Sequence, residues 1–411
     1  MPLPRSFSPF GHRAYALLWT GAFVSNIGTW MESIAVGILI TEATHSSLWL
    51  SLVMAAGFVP TAFLGPVGGA LADRHERRTI ILTTTAVQTV FAGMLTFLAV
   101  IGDARPGLVL VIMFGAGCAA AIGFPTYMSI LPDLVPVEDL PAAVALSAAQ
   151  WNLGRVIGPA LAGIVIAFGG YAWAFGINTL SFFAVIAVVV PLVLPPPAPH
   201  DGTSIRESMR AGFRFARREP GIRAAITLMV VNSLLAAPFI ALVSKMALDV
   251  LGGGTAGVAV LVTAQGVGAV LMAFSLGSLV HRFGLRRVLL FVLAVLPIAL
   301  VLYAAAPTVP ASALAIFAVG FLYLGALSSF TTVAQLRAPS QVRGRTLSVF
   351  TVILGTMYPL GLIVQGAIAT VTGLRVTTAG AGVLMAVALV GMRIAWPRFA
   401  DALDEPVVHA P

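Results

Sequence analysis

The chain is 411 residues long, 59% hydrophobic and only 9% charged, with a mean hydropathy of +1.00. A soluble domain carries about a quarter charged residues, so this composition excludes one and points to a protein that crosses the membrane many times. The formal net charge of +8 does not signal nucleic acid, because its arginines are scattered over tight loops and form no groove-sized face, and the single cysteine, Cys118, permits neither an internal disulfide nor a thiolate metal site.

A spanning helix needs about 20 apolar residues. Runs of that kind lie at 15–40, 48–72, 80–101, 107–131, 142–168, 174–194, 223–248, 257–280, 288–306, 311–336, 346–370 and 376–396. They are continuous rather than alternating, which predicts helices and not barrel strands. The expected fold class is all-α integral membrane with twelve transmembrane helices. The first run carries Glu32 and is followed at once by a second, so it reads as a span and not as a cleaved signal peptide.

Between the sixth and seventh runs lies the one long polar connector, "LPPPAPHDGTSIRESMRAGFRFARREPG" from Leu194 to Gly221. A proline run ends the sixth helix, and a basic amphipathic stretch follows that reads as a linker on the membrane surface. The expected organisation is a six-helix bundle at 1–194, a cytoplasmic linker at 195–222, a second bundle at 223–396 and a cytoplasmic tail at 397–411.

Positive charge in short loops is retained in the cytoplasm. With both termini inside, all but four of the 23 basic residues fall on the cytoplasmic side, the exceptions being Arg105, Lys245 and Arg375 outside and Arg155 within a span. A cell membrane, with both termini on the cytoplasmic side, is the expected location.

Two internal echoes divide the chain. "GALADRHERRTIIL" from Gly69 is answered by "GSLVHRFGLRRVLL" from Gly277, with His281 in place of Asp73, and "GRVIGPALAG" from Gly154 is answered by "GTMYPLGLIVQG" from Gly355. Repeated six-helix halves are a transporter architecture.

The loop "GALADRHERR" resembles the helix 2–3 motif of the major facilitator superfamily: Gly69, Leu71, Asp73, Arg74, Arg77 and Arg78 match, while Glu76 stands where Gly is commoner. Leu17 to Ser47, Leu134 to Gly163 and Val342 to Gly366 are similar to one branch, the enterobactin-exporter-like or transmembrane secretion effector proteins. The resemblance implies two pseudo-symmetric halves working by alternating access. It also implies a cytoplasmic gate in which Asp73 sits at the start of the eleventh helix, "RGRTLS" around Arg343, where free amides and the helix dipole favour an anion. Arg77 is placed to pair with Asp133. The bland alternative leaves Arg74, Arg77 and Arg78 as topology determinants and Asp73 as a solvated cap.

Gly154, Gly158, Pro159 and Gly163 resemble the antiporter motif of helix 5, with its usual terminal Gly-Gly reduced to Ala162-Gly163; close helix packing alone is the other reading. The small-residue stretch Phe114 to Ala121 is similar to part of the superfamily's proton-linked helix 4 motif but lacks its membrane arginine, so a coupled proton needs another route. Glu32 and Arg155 are the proton-coupling candidates, since a charge inside a span is paired or functional; a structural ion pair between them is the alternative. Asn26, Gln150, Asn152, Asn178, Asn232, Gln265, Gln335 and Gln365 are candidates to face a substrate cavity, although each alone is more often a helix–helix hydrogen bond.

The interior has few charges and many Phe, Met and Trp residues, which suits a small amphipathic substrate such as a drug, siderophore or secondary metabolite. The expected function is a proton-coupled exporter, monomeric in the bilayer, with no cofactor, metal or nucleic acid. Rival readings are an uptake carrier or uniporter and a nontransporting sensor or scaffold. An ATP pump would need a phosphate loop ending in Gly-Lys, but the only lysine, Lys245, follows Ser244. "GGGTAG" at Gly252 to Gly257 fits a dinucleotide fingerprint in letters but bridges two spans with no strand before it, and no His or carboxylate cluster lies within the spans, so neither a pump nor an enzyme is expected.

Overall fold

The computed structural model describes residues 5–195 and 205–403. Parts of the expected linker and tail, residues 196–204 and 404–411, lie outside the described residues. Regular structure among the described residues is helical. The spans are α1 (Arg13–Thr44), α2 (Ser47–Arg74), α3 (Arg77–Ile101), α4 (Pro106–Leu134), then one 50-residue helix, Leu140–Val189. After these come α7 (Pro220–Val250), α8 (Gly254–Phe283), α9 (Leu285–Ala305), α10 (Val309–Arg337), α11 (Val342–Thr372) and α12 (Leu374–Ala395).

The 50-residue helix is two crossings, because Gly170 turns the chain with φ 71° and ψ −171°. Only glycine reaches that region without a Cβ clash. We number its limbs α5 (140–169) and α6 (171–189). Among the described residues this makes twelve crossings, where the twelve apolar runs fall.

Local chemistry sets the helix ends. Ser46 caps α2 by accepting from the Trp49 amide, and Thr308 caps α10 by accepting from Ala311. Pro106, Pro220 and Pro310 occupy first turns, where the missing N–H costs nothing. α7 is not a continuous α-helix. It contains π turns at Asn232–Ala236 and Met246–Val250, with Pro238 between them.

In the first half α1 packs along α5 and α6, and α3 and α4 pack together; in the second, α8 and α9 pack on α10, and α9 on α12. The halves meet chiefly along two pairs, α2 with α11 and α5 with α8, and α7 also touches α1 and α2. The contact is graded with depth. A Cβ on Gly366 would fall against Ser51 Oγ, one on Gly355 would lie 2.7 Å from Ala62 N, and one on Gly65 would lie 3.7 Å from Thr351. One turn further along α2, Gly69 meets nothing within 4 Å, and neither does Gly344 on α11. The other pair repeats this: a Cβ on Gly163 would lie 2.9 Å from Ala259 Cβ and one on Gly266 2.9 Å from Val156, but one on Gly277 would meet nothing within 4 Å. The molecule is closed on one face, here the far face, and parted on the face that carries the α2–α3 loop and the linker.

A linker helix, Ile205–Arg218, lies across that parted face. It packs against α11, where Gly212 abuts the Arg345 carbonyl, rather than only on a membrane surface, and its Ala216 is buried. Glu219 then caps α7 and pairs with Arg337 at the end of α10 at 2.7 Å, while Arg337 Nη1 donates to the Leu403 carbonyl at 3.3 Å. Linker, α10 and tail are thereby joined.

Candidate functional site

Arg155 sits on α5 at the depth where the two halves touch, since its carbonyl faces Gly266 of α8. The guanidinium lies over the Trp30 ring of α1, 5.6 Å from the centroid. Its field reaches Tyr323 on α10 and Tyr358 on α11. Neither Nε nor Nη2 has a hydrogen-bond partner, and the residue is only 8% exposed. Trp30 stacks edge-on against Trp151, one turn toward the parted face, and Trp151 lies against Phe124 of α4.

Glu32 does not meet Arg155. Residues 30 and 32 point roughly 200° apart around α1, so with Trp30 turned toward Arg155, Glu32 is turned toward α6. There it accepts from Asn178 Nδ2 at 2.7 Å, and Asn178 Oδ1 in turn accepts from Ser181 at 3.2 Å. Gly28 makes the close approach possible, because a Cβ there would lie 2.6 Å from both Asn178 and Ser181 side-chain oxygens. The carboxyl is buried with a polar neighbour and, among the described residues, no countercharge.

The other polar candidates divide by location. Asn26 donates to the Gln150 carbonyl at 3.3 Å, Gln150 donates to the Trp19 carbonyl and accepts from Tyr127, and Asn152 bonds back to Ala148 of its own helix. Gln365 donates to the carbonyls of Leu234 and Leu235 at 3.1 and 2.9 Å. These bonds hold helices. Gln335 is exposed near the end of α10. Asn232 and Gln265 are fully buried with their amide atoms unpartnered. In the helix 5 motif, Gly154 and Gly158 face α1, a Cβ on Gly158 falling 2.6 Å from Trp30 Cβ, whereas Gly163 faces α8; Pro159 is buried between them.

On the parted face Arg77 donates to Asp133 at 2.5 Å and to the Ala72 carbonyl, which holds the start of α3 to the end of α4. Arg78 donates to the carbonyls of Val189 and Val190 at the end of α6. Arg343 turns back to the Ala338 carbonyl. Asp73 and Arg74 are exposed, as is Gly344 across the gap, and Asp73 makes no hydrogen bond or ion pair among the described residues. No group of three His, Cys, Asp or Glu side chains among the described residues is placed to hold a metal.

Twelve crossings, two halves touching along α2–α11 and α5–α8, and a charged α2–α3 loop narrow the fold. The transmembrane secretion effector family matches the chain over residues 5–411. The chain belongs to that family. It is therefore a multi-pass membrane protein of the major facilitator type and not an enzyme. Its sequence is 28% identical over 353 residues to an enterobactin exporter of Escherichia coli O1:K1, covering 83% of this chain and 81% of that protein. The match to the enterobactin exporter of Shigella boydii serotype 18, also 28% identical, covers 66% of this chain and 64% of that protein.

Solved structures share the fold at low identity. They include a POT family transporter in complex with 5-aminolevulinic acid (TM-score 0.74, 13% identity, 94% of this chain and 96% of that one). The nucleoside transporter NupG superposes with a TM-score of 0.70 at 13% identity over 92% of this chain and 98% of that one.

Within this family member the far-face closure had gone unread in the sequence. Lys245 on α7 donates to the His45 carbonyl in the α1–α2 turn at 2.6 Å and pairs with Asp249, and His45 Nδ1 lies 3.5 Å from Asp249. The signal was the chain's lone lysine at the far end of a span, with an acid one turn on. The ties of Ser8 and His12 to Asp139 at the head of α5, 2.5 and 2.9 Å, were also missed.

Proposed function

We propose that this chain is a secondary active exporter that moves a small amphipathic molecule out of the cytoplasm, driven by inward proton flow. The observation that carries the reading is the graded contact between the halves, tight from Gly366–Ser51 to Gly355–Ala62 and open at Gly69, Gly344 and Gly277. One closed face and one open face make a single stage of alternating access around a midplane site. The arginine bias of the loops supports a cytoplasmic parted face, with both termini there. The enterobactin-exporting relatives support export over uptake.

The moving bodies are the halves at 1–194 and 223–396, in one monomer. When the far face opens, the cytoplasmic gap closes and Asp73 reaches the start of α11 near Arg343. Glu32 carries the proton. A carboxylate buried without a countercharge is costly, so it is occupied by a proton in one facing state and releases it in the other. Asn178 serves both forms, since its amide donates to the carboxylate and its carbonyl side accepts.

Everted membrane vesicles test this directly. With an acidified lumen, the wild-type chain should concentrate at least one of dansylglycine, dansylamide and dansylcadaverine inside, and collapse of the pH gradient should release it. Failure to move any of the three against a gradient sinks the export reading. Gradient-independent equilibration would leave a uniporter instead.

A further inference from the structure

We propose that Arg155 receives an anionic group of the cargo, so that the site takes organic anions with a planar aromatic portion. This rests on the transporter reading above and names its substrate class. A guanidinium keeps its proton in proteins and presents five N–H donors and no acceptor. Burying it in a span without a partner is unfavourable enough that such residues pair with something or line a pathway. Here no described residue supplies the partner: Nε and Nη2 are buried and unbonded, and no ion pair to Arg155 is present among the described residues.

The neighbours exclude an internal counterion. From α1 the guanidinium sees the Trp30 face, from α10 and α11 the Tyr323 and Tyr358 side chains, and from α8 the backbone at Gly266. None carries negative charge. The nearest acid along α1, Glu32, is turned to Asn178. A planar guanidinium fork matches a carboxylate, sulfonate or phosphate in bidentate fashion. Its location suits cargo, because it is at the depth where the halves meet and Trp151, 45% exposed, stands one turn toward the parted face. Trp151, Trp30 and Phe124 offer ring surfaces on that approach, to which an aromatic body can stack with its anion leading.

The test uses purified full-length protein in detergent, without any gradient, and two fluorescent probes with one ring system: anionic dansylglycine and neutral dansylamide. Wild type should bind dansylglycine at least tenfold more tightly. Arg155→Gln should reduce that ratio to near one, and Arg155→Lys should keep part of it. A wild-type ratio near one, absence of dansylglycine binding, or an undiminished ratio in a folded Arg155→Gln protein overturns the proposal. The wild-type ratio decides the matter even where the variants fail to fold. Binding is read at equilibrium, so a chain that binds the anion but moves nothing would sink the export reading and leave this one standing.

Discussion

Asn178 Nδ2 donates to Glu32 at 2.7 Å, and this amide, not Arg155, is the partner of the carboxyl inside the membrane. Replacing Glu32 by Gln therefore leaves no newly orphaned cation and keeps an acceptor for Asn178. The stability loss should stay below about 1 kcal/mol, the scale of one neutral hydrogen bond. Proton-gradient-driven flux should vanish while probe binding persists. In thermal unfolding, Glu32→Gln and Arg155→Gln should add within about 0.5 kcal/mol, as separate sites do. A larger coupling would mean the two charges meet, and full gradient coupling in Glu32→Gln would remove the proton role.

Lys245 holds the far face shut by joining α7 to the α1–α2 turn. Its Nζ bonds the His45 carbonyl at 2.6 Å from a side chain only 10% exposed. A hydrogen bond from a charged group contributes about 1.5–3 kcal/mol, so Lys245→Met should shift the balance toward the far-open form by one to two orders of magnitude. Disulfide formation between cysteines placed at Gly163 and Ala259, in a Cys118→Ser background, reports that closure. Its yield should fall sharply with Lys245→Met; an unchanged yield would show that apolar contacts alone keep this face closed.

Asp73 is exposed in the present state and contributes nothing visible to it. Asp73→Asn should thus leave its thermal stability within about 0.5 kcal/mol, as for an ordinary surface change, yet slow turnover several-fold by weakening the alternate, cytoplasm-closed state. His281→Ala is the matched control in the other half and should matter less. A well-inserted Asp73→Asn protein that transports at the wild-type rate would dispose of the latch.

What could be read beforehand follows from what a one-dimensional pattern encodes. The spans and the α5–α6 turn were legible because hydropathy fixes depth, and Gly169-Gly170 interrupts the apolar run at membrane thickness. Depth placed Glu32 and Arg155 in the membrane but not the angle of α1 and α5 about each other, so whether they pair was open until Arg155 was seen over Trp30 and Glu32 bonded to Asn178 on the other side of α1. Asn26, Gln150 and Gln365 looked like cavity residues by polarity, and only packing showed their bonds to neighbouring backbones. The break in α7 was hidden because Asn232 and Pro238 sit inside one long apolar run, and a run's hydropathy registers its depth but not a π turn; the Lys245 latch was hidden because its partner is a backbone carbonyl some 200 residues away.

At the head of α5 the Ser8 hydroxyl and His12 hold the Asp139 carboxyl below the ordinary carboxylate range. A depressed folded-state value means stability that is present above the unfolded value, about pH 4, and lost as pH falls through the folded one. Asp139→Asn should lower the melting temperature at pH 7, with the gap from wild type closing as pH drops below about 4. Ser8→Ala should give a smaller version of that profile. A gap that stays constant with pH would mean that packing, not the carboxylate, anchors the N-terminal segment.

Gln365 and Pro238 together make the break in α7 tolerable. Pro238 has no N–H to return to the carbonyl four residues earlier, that of Leu234, and in the membrane an unpartnered carbonyl has no water to turn to. Gln365 Nε2 supplies the donor from α11 and serves Leu235 as well. Gly361 permits it, since a Cβ there would collide with the Leu234 carbonyl. Gln365→Met, similar in shape but without donors, should cost about 1–3 kcal/mol, the penalty of an unsatisfied buried group. Pro238→Ala restores an N–H that can close the α-helical bond to Leu234, so adding it to Gln365→Met should return much of that loss. The repaired α7 would be straighter and stiffer than the native one, and π turns commonly mark functional sites. The double variant should accordingly regain its melting temperature yet transport more slowly than wild type. Recovery of both would make the break a structural accommodation with no part in the transport cycle.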